Sequence, residues 1–215
     1  METNMDLSEY KKRYSADDAA PGWDAIDRAL GNLYPGQEPK HYGTTIKHMI
    51  GGPDPIDGIS IFDAGDHYHI VTYGFSSLYY DIESLDADFS GFGFELTIRL
   101  LKSEDEPYWA MNMLQNIARY VFKSGKWFES GHYMPANGPI KQEYDTKLVG
   151  LAFVTDPQLG VIDTVHGKVE FLQVFGITQA EIDKIMSSDK NALNTTSKHQ
   201  VVNPLLITDL DREEI

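Results

Sequence analysis

The sequence contains no cysteine among its 215 residues. This absence excludes a disulfide framework, a thiolate zinc site and a thiol nucleophile, and nothing points to an oxidising compartment. No run approaches the roughly 20 consecutive apolar residues that span a bilayer. The first stretch, "METNMDLSEYKKRYSADDAAPGWD", carries charges where a secretion signal needs an apolar region. We therefore expect a soluble cytoplasmic protein.

Positive charge is also scarce. Eighteen Lys and Arg residues stand against 33 Asp and Glu residues, which gives a formal net charge of −15 at pH 7. A field of this sign repels phosphate backbones and anionic lipid, so direct binding of nucleic acid or of a membrane is not expected. The same field would speed the encounter with a basic protein, although solubility alone explains the acidity equally well.

The motifs of common catalytic and nucleotide sites are missing as well. No G-x-S-x-G, H-E-x-x-H or P-loop pattern occurs. Gly91 and Gly93 form a G-x-G pair, but no third glycine follows. The pair also leads into a strand instead of the helix N-terminus that would hold phosphate. We expect no cofactor and no enzymatic activity.

What is present suits one folded domain. Hydrophobic residues make up 41% of the chain and charged residues 24%, which provides enough apolar material for a core. A chain of this length fits within a single core. We predict a polar N-terminal segment over residues 1–20 and one domain over residues 21–215.

Three segments carry the signals of helices. In "PGWDAIDRALGNLYPG" the apolar residues recur at helical spacing after Pro21, a residue that favours the first turn. Pro107 opens a second helix, whose apolar stripe runs to a left-handed stop at Gly125. Thr178 and Glu181 have the spacing of a capping box, which predicts the start of a third helix.

The segments between these helices are rich in β-branched and aromatic residues and are bounded by Gly, Pro and Asp, which predicts strands. They are "GTTIKHMI", "GISIFDA", "HYHIVTYGF", "GFGFELTIRLL", "KLVGLAFV", "LGVIDTVHG", "KVEFLQVFGI" and "LLITDLDREEI". Apolar residues alternate in "GFGFELTIRLL", so one face of this strand belongs to the core. We predict an α+β fold with a mixed, largely antiparallel sheet flanked by helices.

The densest functional signal is a set of amphipathic aromatic residues beside an acid. Such side chains supply the hot spots of protein-binding surfaces, because each offers a large apolar area with a polar end. The candidates for a protein-binding site are Tyr73, Tyr79, Tyr80, Asp81 and Trp127. At least half of the rings in this part of the chain are expected to belong to the core instead.

An alternative interpretation starts from His67 and His69. Two positions apart on a strand, they face the same side, which is acceptable geometry for two metal ligands. With nearby aspartates they would form a metal- or carboxylate-dependent hydrolase. No third ligand at a defined spacing completes the set, and hydrogen-bonded histidines in a sheet explain the pair as well. The aspartates in question are Asp54, Asp57, Asp63, Asp66 and Asp81.

A series of segments spans about residues 21–209: "PGWDAID", "LYPGQ", "GGPDPIDGIS", "HYHIVTYGFSSLYYD", "SGFGFELTIRL", "ARYVF", "TDPQ", "FLQVFGIT" and "LLITD". In composition and order they resemble the suppressor of fused domain family, and "GGPDP" and "SGFGFELT" are the specific motifs. The resemblance implies a mixed α/β domain that acts as a binding module, with no cofactor or catalytic residue. It carries Tyr79 and Asp81 over as candidate site residues.

The resemblance also bears on the partner. Animal members of the family restrain a transcription factor by clamping an extended peptide between two domains, and bacterial relatives resemble immunity proteins that neutralise toxins. This chain ends with "LITDLDREEI", where the animal proteins continue into a second domain. The resemblance thus favours a bacterial single-domain member. Such a protein would inhibit a basic toxin domain or sequester a regulatory partner.

Overall fold

A computed structural model describes residues 5–44, 52–103 and 106–213. Within these ranges an eight-stranded sheet is flanked by five helices. The helices are α1 (Leu7–Arg13), α2 (Pro21–Leu33), α3 (Tyr108–Ser124), α4 (Gln179–Ser187) and α5 (Leu193–Gln200). The strands are β1 (Lys40–Gly43), β2 (Gly58–Asp63), β3 (His67–Tyr73), β4 (Phe89–Leu101), β5 (Tyr133–Pro135), β6 (Leu148–Thr155), β7 (Val161–Thr164) and β8 (Gly167–Thr178).

The described strands form one mixed sheet. Their order is β1-β2-β3-β4-β8-β6-β5, and β7 pairs with the first part of β8. Each pairing is antiparallel except that of β4 with β8, which is parallel. The predicted α+β fold with a largely antiparallel sheet is confirmed.

The expected local signals begin two of the predicted helices and end the third. Pro21 is the first residue of α2. Gly125, directly after α3, has a φ of 68°, a left-handed conformation that glycine adopts without strain. The Thr178 hydroxyl accepts a hydrogen bond from the Glu181 backbone N–H, and the Glu181 carboxylate accepts one from the Thr178 N–H. This capping box starts α4, so all three helices are confirmed.

Helices cover both faces of the sheet. Leu114 of α3 and Leu96 of β4 belong to one core cluster. On the opposite face, Ile26 of α2 shares a second cluster with Val71 of β3, and Ile182 of α4 lies in a third. The alternation in β4 predicted one core face, and the structure buries the other face of this strand as well, since Glu95, Thr97 and Arg99 are all 0% exposed.

The C-terminal part differs most from the prediction. The polar residues of Leu193–Gln200 form α5, which no sequence signal indicated. The predicted last strand is wrong: its contact with the sheet is an isolated bridge between Leu100 and Thr208, with turns on either side. Gln173 fixes this segment instead, since its Nε2 donates to two carbonyl oxygens of the segment, both at 2.8 Å.

Two of the predicted segments lie at the edges of the described ranges. The predicted strand "GTTIKHMI" falls mostly on residues 45–50, which lie outside the described residues. The polar N-terminal segment contains α1, and Tyr10 is the buried residue within the described residues 5–20. No helix in the described part of the chain is long and apolar enough to cross a membrane.

Candidate protein-binding surface

The loop that joins β3 to β4, residues 74–88, carries three of the predicted site residues, and a buried glutamate holds its start. Glu95 Oε1 accepts hydrogen bonds from the backbone N–H of Gly74 (2.9 Å) and from the N–H and hydroxyl of Ser76 (3.0 and 2.6 Å). Glu95 Oε2 accepts one from the Thr72 hydroxyl at 2.8 Å. Burial raises the pKa of Glu95 to about 7, although these hydrogen bonds oppose the rise. The loop therefore leaves the sheet in a fixed direction.

Tyr73, the last residue of β3, is only 1% exposed. Its ring stacks on Trp23 with the centroids 4.5 Å apart, and its hydroxyl donates to Asp27 Oδ1 at 2.9 Å. Burial, together with the Asp27 carboxylate, raises the pKa of Tyr73 far above its usual range. The prediction of an exposed hot spot at Tyr73 is therefore wrong, because this ring belongs to the core that supports the loop.

Tyr79, Tyr80 and Asp81 stay together at the surface. Tyr79 is half-buried against the core cluster beneath α2, whereas Tyr80 is 36% exposed. The Asp81 carboxylate accepts hydrogen bonds from the Ser84 hydroxyl (2.6 Å) and the Glu83 backbone N–H (3.0 Å), and these lower the pKa of Asp81. An ionised acid thus lies beside two aromatic rings. The part these three residues play in binding stays a prediction.

The surface around these residues is concave on both sides of α1. A groove of ≈ 660 Å³ is lined by Tyr79, Tyr80, Lys11 and the residues 14–19. A second groove, of ≈ 570 Å³, is lined by charged residues that include Arg13. Because Lys11 and Arg13 both belong to α1, this short helix contributes walls to both grooves.

Trp127 lies on a different surface. It is 57% exposed, and its indole N–H donates to Glu129 Oε1 at 3.0 Å. It follows α3, which covers the face of the sheet opposite to α2. The segment that leads into Tyr79 is bound to α2 instead, since the Gly22 backbone N–H donates to the Leu78 carbonyl oxygen at 3.0 Å. The structure therefore does not bring Trp127 together with the tyrosines.

The two histidines of the alternative hypothesis have protein partners. His67 Nδ1 lies 2.7 Å from Asp66 Oδ1. His69 is fully buried, with Nδ1 2.8 Å from the Tyr34 hydroxyl and Nε2 3.2 Å from Asp156 Oδ2. Burial lowers the pKa of His69 to about 4, which favours a neutral ring. Among the described residues, no three His, Cys, Asp or Glu side chains gather in a way that could hold a metal ion.

The aspartates of that hypothesis point to separate partners. Asp54 forms an ion pair with Arg119, and Asp63 forms one with Lys102. Asp81 binds Ser84 within its own loop. These contacts are local surface interactions, and they do not form the opposed pair of carboxylates that a hydrolase of this kind needs.

A buried polar cluster beneath α2 escaped the sequence reasoning. Arg99 is 0% exposed, and its terminal nitrogens donate to both carboxylate oxygens of Asp156, at 2.6 and 3.1 Å. Arg99 also donates to Gln158 (2.9 Å) and to Gln173. Burial alone would raise the pKa of Asp156, but hydrogen bonds from His69 and Arg99 hold it well below its usual range. The sequence signal that could have indicated this cluster is the alternation of polar and apolar residues in "ELTIR". Arg99, Asp156 and Gln173 are buried, whereas Gln158 lies at the surface, and Gln173 joins the sheet to the C-terminal segment.

Comparisons with known proteins decide the family. The family model described as suppressor of fused protein (SUFU) matches residues 52–213. This chain belongs to the suppressor of fused family. The human and mouse suppressor of fused homologues are each 31% identical to it over 212 residues. The alignments cover 90% of this chain and 43% of each relative, so the chain spans less than half the length of these curated relatives.

Solved suppressor of fused structures agree with this family assignment. A chain in the crystal structure of a Sufu–Fu complex superposes with a TM-score of 0.81 at 32% identity, covering 91% of this chain and 92% of that chain. Drosophila Suppressor of Fused matches with a TM-score of 0.81 at 32% identity, over 91% of this chain and 51% of its own. A homologue from Neisseria gonorrhoeae reaches a TM-score of 0.59 at 12% identity, over 90% and 96% of the two chains, and shows a shared fold alone.

The motif "SGFGFELT" has a physical explanation in this suppressor of fused domain. Gly91 has a φ of 57°, and a Cβ there would lie 2.5 Å from the Phe75 carbonyl oxygen. That oxygen accepts a hydrogen bond from the Phe92 backbone N–H at 2.9 Å. Glu95, in the same motif, binds Gly74 on the other side of Phe75. The motif therefore clamps β4 to the loop that carries Tyr79, Tyr80 and Asp81.

Proposed function

We propose that this suppressor of fused domain is a non-enzymatic protein-binding module and that it contacts its partner through Tyr79, Tyr80 and Asp81. The observation that carries the proposal is the Sufu–Fu complex, in which one chain aligns with 91% of this one at 32% identity. A domain similar in sequence and fold thus occurs in a complex with another protein. We infer the same kind of activity for this chain.

The loop between β3 and β4 offers what a protein interface needs. Tyr80 and Ile82 of the loop and Phe89, the first residue of β4, are 36%, 41% and 64% exposed, and burying such apolar area against a partner is favourable. Four exposed acids surround these side chains, so that a basic partner would be steered toward the loop and an acidic one repelled. They are Asp81, Glu83, Asp86 and Asp88.

Two biological forms of this activity are supported by the acidity and by the family resemblance. The domain would sequester a regulatory protein, or it would act as an immunity-type inhibitor that covers the working surface of a toxin. A toxic nuclease domain suits an acidic inhibitor, because it must itself be basic to hold its substrate. We propose the exposed indole of Trp127 as a separate, secondary contact, since Trp is enriched among hot spots.

The test is a quantitative pull-down from the source cells with tagged wild-type chain and the variants Tyr80→Ala and Tyr108→Ala. Tyr108 is the matched control, because it is 49% exposed but lies on α3, which covers the other face of the sheet. We expect a stoichiometric partner that wild type and Tyr108→Ala retain. Truncating a hot-spot tyrosine costs about 2 kcal/mol, so Tyr80→Ala should bind roughly 30-fold more weakly.

Two results would contradict the proposal. The first is the absence of any stoichiometric partner, combined with no protection against a toxin co-expressed from a neighbouring gene. The second is a partner that Tyr80→Ala and Tyr108→Ala retain equally well, which would place the contact surface elsewhere on the domain.

A further inference from the structure

One buried side chain anchors the N-terminal helix in the domain. Within the described residues 5–20, Tyr10 is fully buried, while the rest of α1 is exposed. A helix of 7 residues is too short to be stable by itself in water. The position of α1 therefore depends on Tyr10, and withdrawing that one ring would release the helix.

Tyr10 lies in a socket that contacts both its ring and its hydroxyl. The ring stacks on Tyr80 at 4.9 Å between centroids with 13° between planes, and His166 meets it edge-on at 5.9 Å. The hydroxyl lies 2.7 Å from His166 Nε2, and the Asp81 backbone N–H donates to it at 3.0 Å. His166 Nδ1 lies 2.9 Å from the Ser77 carbonyl oxygen, which can only accept. In the neutral ring Nε2 therefore accepts the phenol proton, and the Asp81 carbonyl oxygen, 3.3 Å from the hydroxyl, is a second acceptor.

Two walls of this socket, His166 and Asp81, are held by contacts outside α1. The His166 backbone N–H donates to the Thr164 hydroxyl at 3.0 Å in the β7–β8 turn. Asp81 is fixed by the Ser84 hydroxyl and the Glu83 N–H. These contacts belong to the domain itself, so His166 and Asp81 would keep their positions when Tyr10 leaves. The two grooves beside α1 leave room for a segment that approaches from either side.

The charge of α1 shows what kind of segment this surface accepts. Its last turn carries Lys11, Lys12 and Arg13, three consecutive cations in a chain with a net charge of −15. A basic helix with one inward tyrosine is thus the occupant seen in the structure. A phosphate on the hydroxyl would need the space of His166 and of the Asp81 amide, both within 3.0 Å of it. Unmodified tyrosine is therefore the matching side chain.

We propose that this socket is a tyrosine-binding site of the domain, an inference that rests on the proposed protein-binding function. Tyr10 occupies it in cis, and a tyrosine on a basic helical segment of the protein partner occupies it in trans after α1 is released. The hinge lies near Ala19, whose carbonyl oxygen accepts a hydrogen bond from the Tyr80 backbone N–H at 3.0 Å. Release of α1 also uncovers the ring of Tyr80.

The experiment uses the full chain with Tyr10→Ala and a synthetic peptide that copies residues 5–14, "MDLSEYKKRY". Calorimetry should show saturable 1:1 binding to this variant. The wild-type chain should bind the peptide at least roughly 100-fold more weakly, because its tethered Tyr10 competes at a high effective concentration. A peptide with Phe at the Tyr10 position should bind about fivefold more weakly, since it loses the hydroxyl contacts. A peptide with Phe at the Tyr14 position is the matched control and should bind like the original.

Equal affinity of the peptide for wild type and Tyr10→Ala would overturn the proposal, as would equal affinity of peptides with Tyr or Ala at the Tyr10 position. Amide hydrogen exchange of the wild-type chain provides a second measurement that does not depend on the variant. Amides of α1 should exchange faster than those of α2, and equal protection of the two helices would also overturn the proposal. Because the probe is synthetic, failure of these measurements is distinct from failure of the pull-down, which tests the protein-binding function itself.

Discussion

Replacing Glu95 with glutamine is expected to stabilise the protein above pH 7 and to leave its stability nearly unchanged near pH 4. Glu95 is fully buried, and burial raises its pKa from 4.5 to about 7. Between these values the folded protein keeps a proton that the unfolded chain has lost, so the free energy of unfolding falls as the pH rises through this window. At about 1.36 kcal/mol per pKa unit, wild type loses about 3 kcal/mol by pH 8, and the glutamine variant does not.

Glutamine fits the hydrogen bonds that Glu95 makes. Its Oε1 can keep the three donors of Gly74 and Ser76, and its Nε2 can donate to the Thr72 hydroxyl. The Thr72 hydroxyl can then turn its proton to the Leu96 carbonyl oxygen, 3.3 Å away. The substitution therefore removes the titration and keeps the four hydrogen bonds made by this side chain. Glu95→Ala would leave the loop N–H groups unpaired and should cost about 3 kcal/mol or more.

Urea unfolding of wild type and Glu95→Gln from pH 4 to pH 8 measures the difference. Other titrating groups, such as His69 with its pKa near 4, contribute equally to both proteins and cancel. Glu83→Gln, at an exposed position in the same loop, is the control and should stay within about 0.5 kcal/mol of wild type. The reasoning would be refuted if Glu95→Gln were less stable than wild type at pH 8. It would also be refuted if the difference in the free energy of unfolding between the two proteins did not grow above pH 5.

Three further predictions concern the scaffold. Arg99→Ala leaves the buried Asp156 carboxylate without its guanidinium partner and should lower the free energy of urea unfolding by about 3–5 kcal/mol. Gly22→Ala places a Cβ 2.1 Å from a backbone carbonyl oxygen and should destabilise by about 1–3 kcal/mol. Gly31→Ala in the same helix meets nothing within 4 Å and should stabilise by about 0.5–1 kcal/mol, which thermal unfolding of the pair will show. Burial would raise the pKa of Glu181, but hydrogen bonds from His199 and Arg212 lower it to about 2. About 3 kcal/mol of stability is therefore present above pH 4.5 and lost as the pH falls toward 2, a slope that acid unfolding of Glu181→Gln should lack.

Three of the five helices in the described residues and most of the strands could be predicted because their signals are local. Pro21, Gly125 and the pair of Thr178 and Glu181 act through their own backbone or through neighbours within one turn. The polar helix α5 gave no such signal, since it is placed by packing against β6 and by the contact of His199 with Glu181 of α4. Its stability comes from that contact more than from its own sequence.

The candidate surface was only partly predictable. Tyr73 and Tyr80 have the same side chain and lie seven positions apart, yet one is 1% exposed and the other 36%. The difference arises because Tyr73 still belongs to β3 and points beneath α2, whereas Tyr80 follows the loop that Glu95 directs outward. Trp127 is exposed as predicted, but α3 carries it to the other side of the sheet.

By itself the sequence determined the family, the fold class and the boundaries of its best helices, because ordered motifs and local periodicity are properties of neighbouring residues. The tertiary structure alone decided which distant polar groups are buried together. Arg99 meets Asp156 across 57 positions, and Tyr10 meets His166 across 156. Such pairs form only when the sheet and its helical layers close. Burial within those layers then sets the charge of each group and its access to a partner.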